Sequence, residues 1–255
     1  MKSILTIWIA CISGFLAAQP TYTLPVPAYK DGESITYEIS YGPLTGGQVT
    51  GTVKKYNDDG KDMVHSVITA RTTGLADMIY KIQDIYESDF NYGTGLPVRS
   101  IRNVQEGSYK QFIEVKFDKK KNLVQSSLSG IHKVPRYMHD ITSSFYYFRS
   151  IDYSKLKEGD MIVMQTYFGD ELFAFKIRYR GRETVKTSLG KFPCYKFAPV
   201  TEVGRAFATE DDMFIWMSSD VNHVPIRAKL NLRVGSIKCD LIAYSNLLGS
   251  LNRIP

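Results

Sequence analysis

Cysteine is scarce: three occur in 255 residues, at Cys11, Cys194 and Cys239. That excludes a small disulfide-dense scaffold. With no C-x-x-C pair it also excludes a zinc ribbon or a thioredoxin-type redox centre. Histidine is as sparse. His65, His132, His139 and His223 lie too far apart for a short metal-ligand spacing, and there is no H-E-x-x-H. The acidic run Glu210-Asp211-Asp212 lacks the alternating oxygen ligands and the glycine of an EF-hand loop. The chain has no G-x-S-x-G elbow and no P-loop. Gly93 and Gly95 lack the third glycine of a dinucleotide loop and run into Pro97. No metal and no cofactor is therefore expected. Long apolar runs are missing too, apart from Ile4 to Leu16, so a multi-span membrane protein is excluded.

That single run has a specific layout. Lys2 precedes it and the small pair Ala17-Ala18 follows it, as in a secretory signal peptide. The expected organisation is a signal peptide over 1–18, an extended lead-in over 19–30 carrying Pro20, Pro25 and Pro27, and one β-rich domain over 31–255. No transmembrane span remains after cleavage, which implies an exported protein, periplasmic or associated with the outer envelope. Cys11 makes a poor lipidation site, because Trp8 stands where an aliphatic residue is needed. In an oxidising compartment Cys194 and Cys239 are either a disulfide or two small buried thiols.

Strict alternation dominates the rest. Ile35, Tyr37, Ile39 and Tyr41 alternate with Ser34, Thr36, Glu38 and Ser40, the pattern of a half-buried strand. Turn signals recur at Gly46-Gly47, Asn57-Asp58-Asp59-Gly60, Gly169-Asp170 and Gly235-Ser236. Roughly fourteen strands with short connections result. A short helical turn is expected near Gly74, where Leu75, Met78, Ile79 and Ile82 show helical spacing. A better helix runs from Asp140, a good N-cap, to Arg149, with Ile141, Phe145 and Phe148 on one face. The fold class is mainly β: an antiparallel curled sheet, barrel or roll, with one or two short helices packed on or in it.

Several segments, in order, resemble an exported bacterial family, the domain of unknown function 3108. They are Ile82-Gln83-Asp84-Ile85-Tyr86-Glu87-Ser88, Gly95-Leu96-Pro97, Glu106-Gly107, Asp140 with Ser143-Ser144-Phe145-Tyr146-Tyr147-Phe148-Arg149, Asp220 with Pro225, and Val234-Gly235-Ser236-Ile237. The resemblance implies an exported, mostly antiparallel β protein. It carries no assigned activity and transfers no catalytic role.

Function in such a chain shows as polar residues on rows that should be buried. Asp84 and Tyr86 share a row with Tyr80, Ile82, Phe90 and Tyr92. His65 and Arg71 share one with Met63 and Val67. Gln111 follows Tyr109, Gln165 follows Val163, and Arg149 extends the helix's apolar face. A buried carboxylate must be paired or protonated. Asp84 is therefore expected either in an ion pair with Arg71, Arg149 or His65 that seats the helix, or in a polar patch at the base of an aromatic-lined cavity. Two basic rows, Lys176, Arg178, Arg180 and Arg227, Lys229, Arg233, should face outward. They either solubilise the surface and protect strand edges or attract an anionic envelope surface. The net charge of +6 agrees with a basic surface, and an exported protein is not expected to meet nucleic acid.

Three functions fit these features. The favoured one is a non-enzymatic envelope protein holding a lipid or glycan ligand in an aromatic-lined β scaffold. The second is a structural partner in an envelope complex. The third is a lyase-type enzyme on acidic polysaccharide, with Tyr86, His65 and Arg71 supplying base and cation.

Overall fold

A computed structural model describes residues 25–200, 209 and 212–254. The expected signal peptide, Cys11, the start of the lead-in, and Glu210 and Asp211 of the acidic run lie outside the described residues.

The first half forms β1 (Ser34–Tyr41), β2 (Leu44–Asp58), β3 (Lys61–Thr72), the short helix α1 (Gly74–Ile79), β4 (Gln83–Asn91), β5 (Pro97–Glu106), β6 (Tyr109–Asp118), β7 (Leu123–Ser126) and β8 (Gly130–Lys133). Helix α2 (Ile141–Arg149) follows. The second half forms β9 (Met161–Phe168), β10 (Glu171–Thr187), β11 (Gly190–Pro199), β12 (Met213–Ser218), β13 (Pro225–Asn231) and β14 (Ser236–Ser245). All fourteen strands join one antiparallel sheet in the order β8-β7-β6-β5-β4-β3-β2-β1-β14-β13-β12-β11-β10-β9.

The sheet is mainly β and curls, as the alternation predicts, but it does not close by strand pairing. Its two ends meet across the segment before α2. Val134 donates from its backbone to Asn122 on one side, while His139 bonds Gln165 and Tyr167 of β9 on the other. Met138 packs there with Ile113, Val115, Val124 and Tyr167, which joins β6 and β7 to β9. This seam covers part of the unpaired strand edges, which otherwise invite pairing with other chains.

Helix α2 starts where Asp140 accepts from the backbone of Thr142 (2.8 Å) and Ser143 (3.0 Å), and Ser143 Oγ accepts in return from the Asp140 N–H. This is a capping box. Seven of its nine residues are buried. Small residues on the inner row make room for it: Ser66 and Ser88 are fully buried, and Gly51 lies beneath the Tyr146 hydroxyl. Beyond it, Phe148 packs with Tyr153, Met164, Ile177, Phe197 and Met217 in the largest aromatic cluster of the interior.

In an antiparallel meander every second turn returns to the same end. The β1/β2, β3/β4, β5/β6, β9/β10 and β13/β14 turns therefore share one end, here called the mouth, and α1 sits among them. The opposite end is the base, closed by residues 28–33 and by the last turn of α2.

The seam carries a titratable group. His139 is buried, and burial pushes its pKa down to about 3, with Lys119 adding to the effect. Its folded value thus lies below the unfolded value near 6.5. Its stabilising contribution is complete above pH 6.5 and is lost on acidification, at about 1.4 kcal/mol per pH unit. Burial raises the neighbouring Asp140 carboxyl, which acts in the opposite sense, so the histidine must be isolated by substitution. Between pH 7 and pH 5 the wild-type protein should lose about 2 kcal/mol more than His139→Gln in urea unfolding. Equal losses would contradict the buried neutral imidazole.

Candidate functional site

The cavity arises from strand periodicity. Cross-strand partners share a face, so Tyr37, Val49, Ala70 and Asp84 line one inner row, and Gly51, Ile68, Tyr86 and Arg102 the next. Between this wall and α2 lies a cavity of about 200 Å³, bounded by Tyr37, Val49, Ile68, Phe145, Met217 and Cys239 among others. Its surface is aliphatic, aromatic or thiol. An apolar cavity of about 150 Å³ suffices to hold benzene, so this one admits a stretch of hydrocarbon.

One turn toward the N-terminus of α2 the character changes. Ile141, on the same helix face as Phe145, borders a small space of about 20 Å³ together with Tyr86, Arg102, Thr142 and Phe168 and two carboxylate residues, Glu87 and the helix cap Asp140. The two spaces are neighbours along the wall as well, because Ile68 borders the first and its cross-strand partner Tyr86 the second. The Arg102 guanidinium donates to the Gln111 amide oxygen and lies 5.6 Å from the Phe168 ring centre. Its Nε is buried with no hydrogen-bond partner, and so is the Thr142 hydroxyl. Among the described residues no carboxylate lies within ion-pair distance of it. Burial pushes the Tyr86 phenol above its ordinary pKa, the Asp84 carboxylate adds to this, and Arg102 pulls it back.

Of the residues singled out by row, Tyr86 and Gln111 do meet inside the sheet, at Arg102, and Asp84 lies on the neighbouring inner row. Asp84 is buried and accepts from the backbone of Gln105 (3.1 Å). The row through His65 and Arg71 is corrected: in β3 the inner residues are Val64, Ser66, Ile68 and Ala70. His65 faces outward, 2.9 Å from Asp89 and 3.6 Å from Glu87, and exposed Arg71 donates to Gln48 (2.8 Å). Tyr86, His65 and Arg71 therefore lie on opposite faces, and the trio imagined for lyase chemistry does not converge. Gln165 takes part in the seam through its carbonyl.

Arg149 does form a buried ion pair that seats the helix, but its partner is Glu33 rather than Asp84. Both side chains are 0% exposed and bond at 2.5 and 2.9 Å. The guanidinium also donates to the carbonyls of Ala28 (3.1 Å) and Asn222 (3.2 and 3.1 Å). Burial alone would lower its pKa; the Glu33 carboxylate overrides this and holds it above its ordinary value.

The disulfide does not form. Cys194 and Cys239 are both free, the first buried among Val185, Phe192 and Trp216, the second in the cavity wall. Burial pushes both thiols up to about 12, so neither is a ready nucleophile. On the basic rows, Lys176 is exposed, and Arg178 and Arg180 are half-buried and engaged. Arg227 grips Asp240 bidentately at 2.5 and 2.6 Å, half-buried Lys229 stands opposite Lys238, and Arg233 lies on the exposed β13/β14 turn. No group of three or more histidine, cysteine or acidic residues with metal-binding geometry occurs among the described residues.

Fold and interior together define an open, helix-plugged β-barrel with an apolar cavity. The chain belongs to the family described as protein of unknown function (DUF3108), whose pattern matches residues 36–242. Among solved structures it is similar to a β-barrel-like protein of the DUF1849 family from Brucella abortus. That likeness has 8% identity and a TM-score of 0.57, and covers 88% of this chain and 100% of that one. It shows the fold alone. A Bacteroides fragilis protein described as exported, with a YmcC-like fold, matches at 11% identity and a TM-score of 0.41, covering 88% of this chain and 100% of that one. No curated protein matches the chain significantly.

Proposed function

We propose that this is a non-enzymatic protein of the cell envelope that holds a lipid by its hydrocarbon chain inside the curled sheet. The observation that carries this reading is the chemistry of the 200 Å³ cavity wall. A sugar needs hydrogen-bonding partners for its hydroxyls, and the wall from Ile35 to Met217 offers apolar contact instead. Arg102 and its water-sized space, one helical turn away, suit a small anionic end such as a carboxylate. The ligand class is therefore an acyl chain with a compact acidic head.

Filling the cavity tests the reading. Ala228 borders it, so Ala228→Phe should lower affinity for a fluorescent fatty acid at least about tenfold by excluding apolar contact. The measurement is a titration of delipidated protein, with circular dichroism to show that the variant folds. Absence of binding by the wild-type protein, or undiminished binding by the variant, would refute it.

A further inference from the structure

Helix α1 buries none of its residues. Leu75, Met78 and Ile79 are 73%, 83% and 85% exposed, which is unusual for three large apolar side chains in six residues. They do not stand alone. Leu44, Tyr109 and Val234, on three other turns of the mouth, are also exposed. These turns are tied into one rim. Gly46 lets the Ala76 methyl approach closely, Tyr80 donates to the Glu106 carbonyl (3.0 Å), and Tyr41 donates to the Val234 carbonyl (2.9 Å). The rim therefore presents a held apolar edge at the end of the barrel where the inner rows run out.

Beside α1 and on the β13/β14 hairpin, cations outnumber carboxylates. Arg71, Lys81 and Lys110 are exposed on the turns flanking α1, and Lys229 and Lys238 pair across β13 and β14 beside them. Against these stand Glu38, Glu106 and Asp77, with Asp170 and Glu171 on the β9/β10 turn; Asp77 is engaged by the Thr72 hydroxyl (2.8 Å) and Asp170 by the Tyr167 hydroxyl (3.2 Å). Apolar tips surrounded by cations match an anionic bilayer, where the tips enter the acyl boundary and the cations meet the headgroups.

We propose that the mouth rim, centred on Met78 and Ile79 of α1, docks the protein on an anionic phospholipid surface. Docking stands on the rim itself. Its purpose, bringing the cavity to the source of its ligand, rests on the function proposed above.

The test compares the wild-type protein, Met78→Asp with Ile79→Asp, and Val221→Asp. Val221 is an exposed apolar residue on the β12/β13 turn at the opposite end. All three share the same N-terminus, so its contribution to binding cancels. Co-sedimentation uses vesicles of phosphatidylcholine and of phosphatidylcholine mixed with phosphatidylglycerol. Wild type and Val221→Asp should bind the mixed vesicles, and the double variant at least about tenfold more weakly. Phosphatidylcholine alone should bind weakly. No binding by wild type, or equal loss with Val221→Asp, overturns the proposal. So does a dimer in sedimentation velocity that the double variant abolishes while vesicle binding persists, because the rim then serves a second copy. Fatty-acid titration in solution is run on all three. If it fails while the rim still docks, only the cavity reading falls.

Discussion

Glu33→Ala is expected to cost about 3–5 kcal/mol of folding stability, a large share of the roughly 5–15 kcal/mol available to a domain. The reason is what remains behind. Arg149 is 0% exposed and would keep its charge with no counter-ion. The clamp also joins distant parts of the chain: residues 28 and 33 before β1, the end of α2, and Asn222 in the β12/β13 turn. Losing it should loosen the base of the barrel. Removing both charges, with Glu33→Met and Arg149→Met together, should cost less than the sum of the single changes, since no buried charge is stranded. Recovery will be partial, because the carbonyls of Ala28 and Asn222 then lose their donor. Urea unfolding of the two single variants and the double provides the cycle. A Glu33→Ala effect below about 1 kcal/mol, or simple additivity, would show that the pair is not the clamp described.

The alternation of β1 and the capping of α2 were readable because each is local. Ile35 and Tyr37 are buried as their row requires, and Asp140 caps α2 with Ser143 in reply. Arg149 was readable as a charge on an apolar helix face. Its partner was not, since Glu33 lies 116 residues away beside a turn. The β3 register failed for a local reason. Met63 and Val64 are adjacent, apolar and both buried, so the strand offers two candidate inner rows. The helix settles the choice by needing a small residue, Ser66, where the other row would place His65 or Val67. Arg102 escaped notice for a related reason: with Ser100 on its own row and Asn103 on the next, neither row of β5 reads as apolar. A cation alternating with small polar residues in a strand whose partner, β6, has a clear apolar row was the available signal.

Arg102→Met should weaken binding of a long-chain fatty acid by roughly 10- to 100-fold, the value of one charge-assisted hydrogen bond. The same substitution should leave a fatty alcohol of equal chain length nearly unaffected. The contrast follows from the layout of the interior. In the proposed complex the acyl chain lies against Phe145, Ile68 and the other residues of the cavity wall, which the substitution does not touch. On the same proposal only the acidic head meets the Arg102 guanidinium, whose Nε has no hydrogen-bond partner among the described residues. Methionine retains most of the arginine's apolar stem but removes the guanidinium that lies 5.6 Å from the Phe168 ring centre, a loss that the acid and the alcohol share. Isothermal titration with the matched acid and alcohol reads the difference directly. Wild-type protein should prefer the acid, and the preference should disappear in Arg102→Met. If both ligands bind and the acid shows no advantage in the wild type, the head of the ligand lies elsewhere and Arg102 is only a partner for Gln111. If the alcohol is lost together with the acid, Arg102 supports the cavity wall itself, and selectivity for a charged head must be withdrawn.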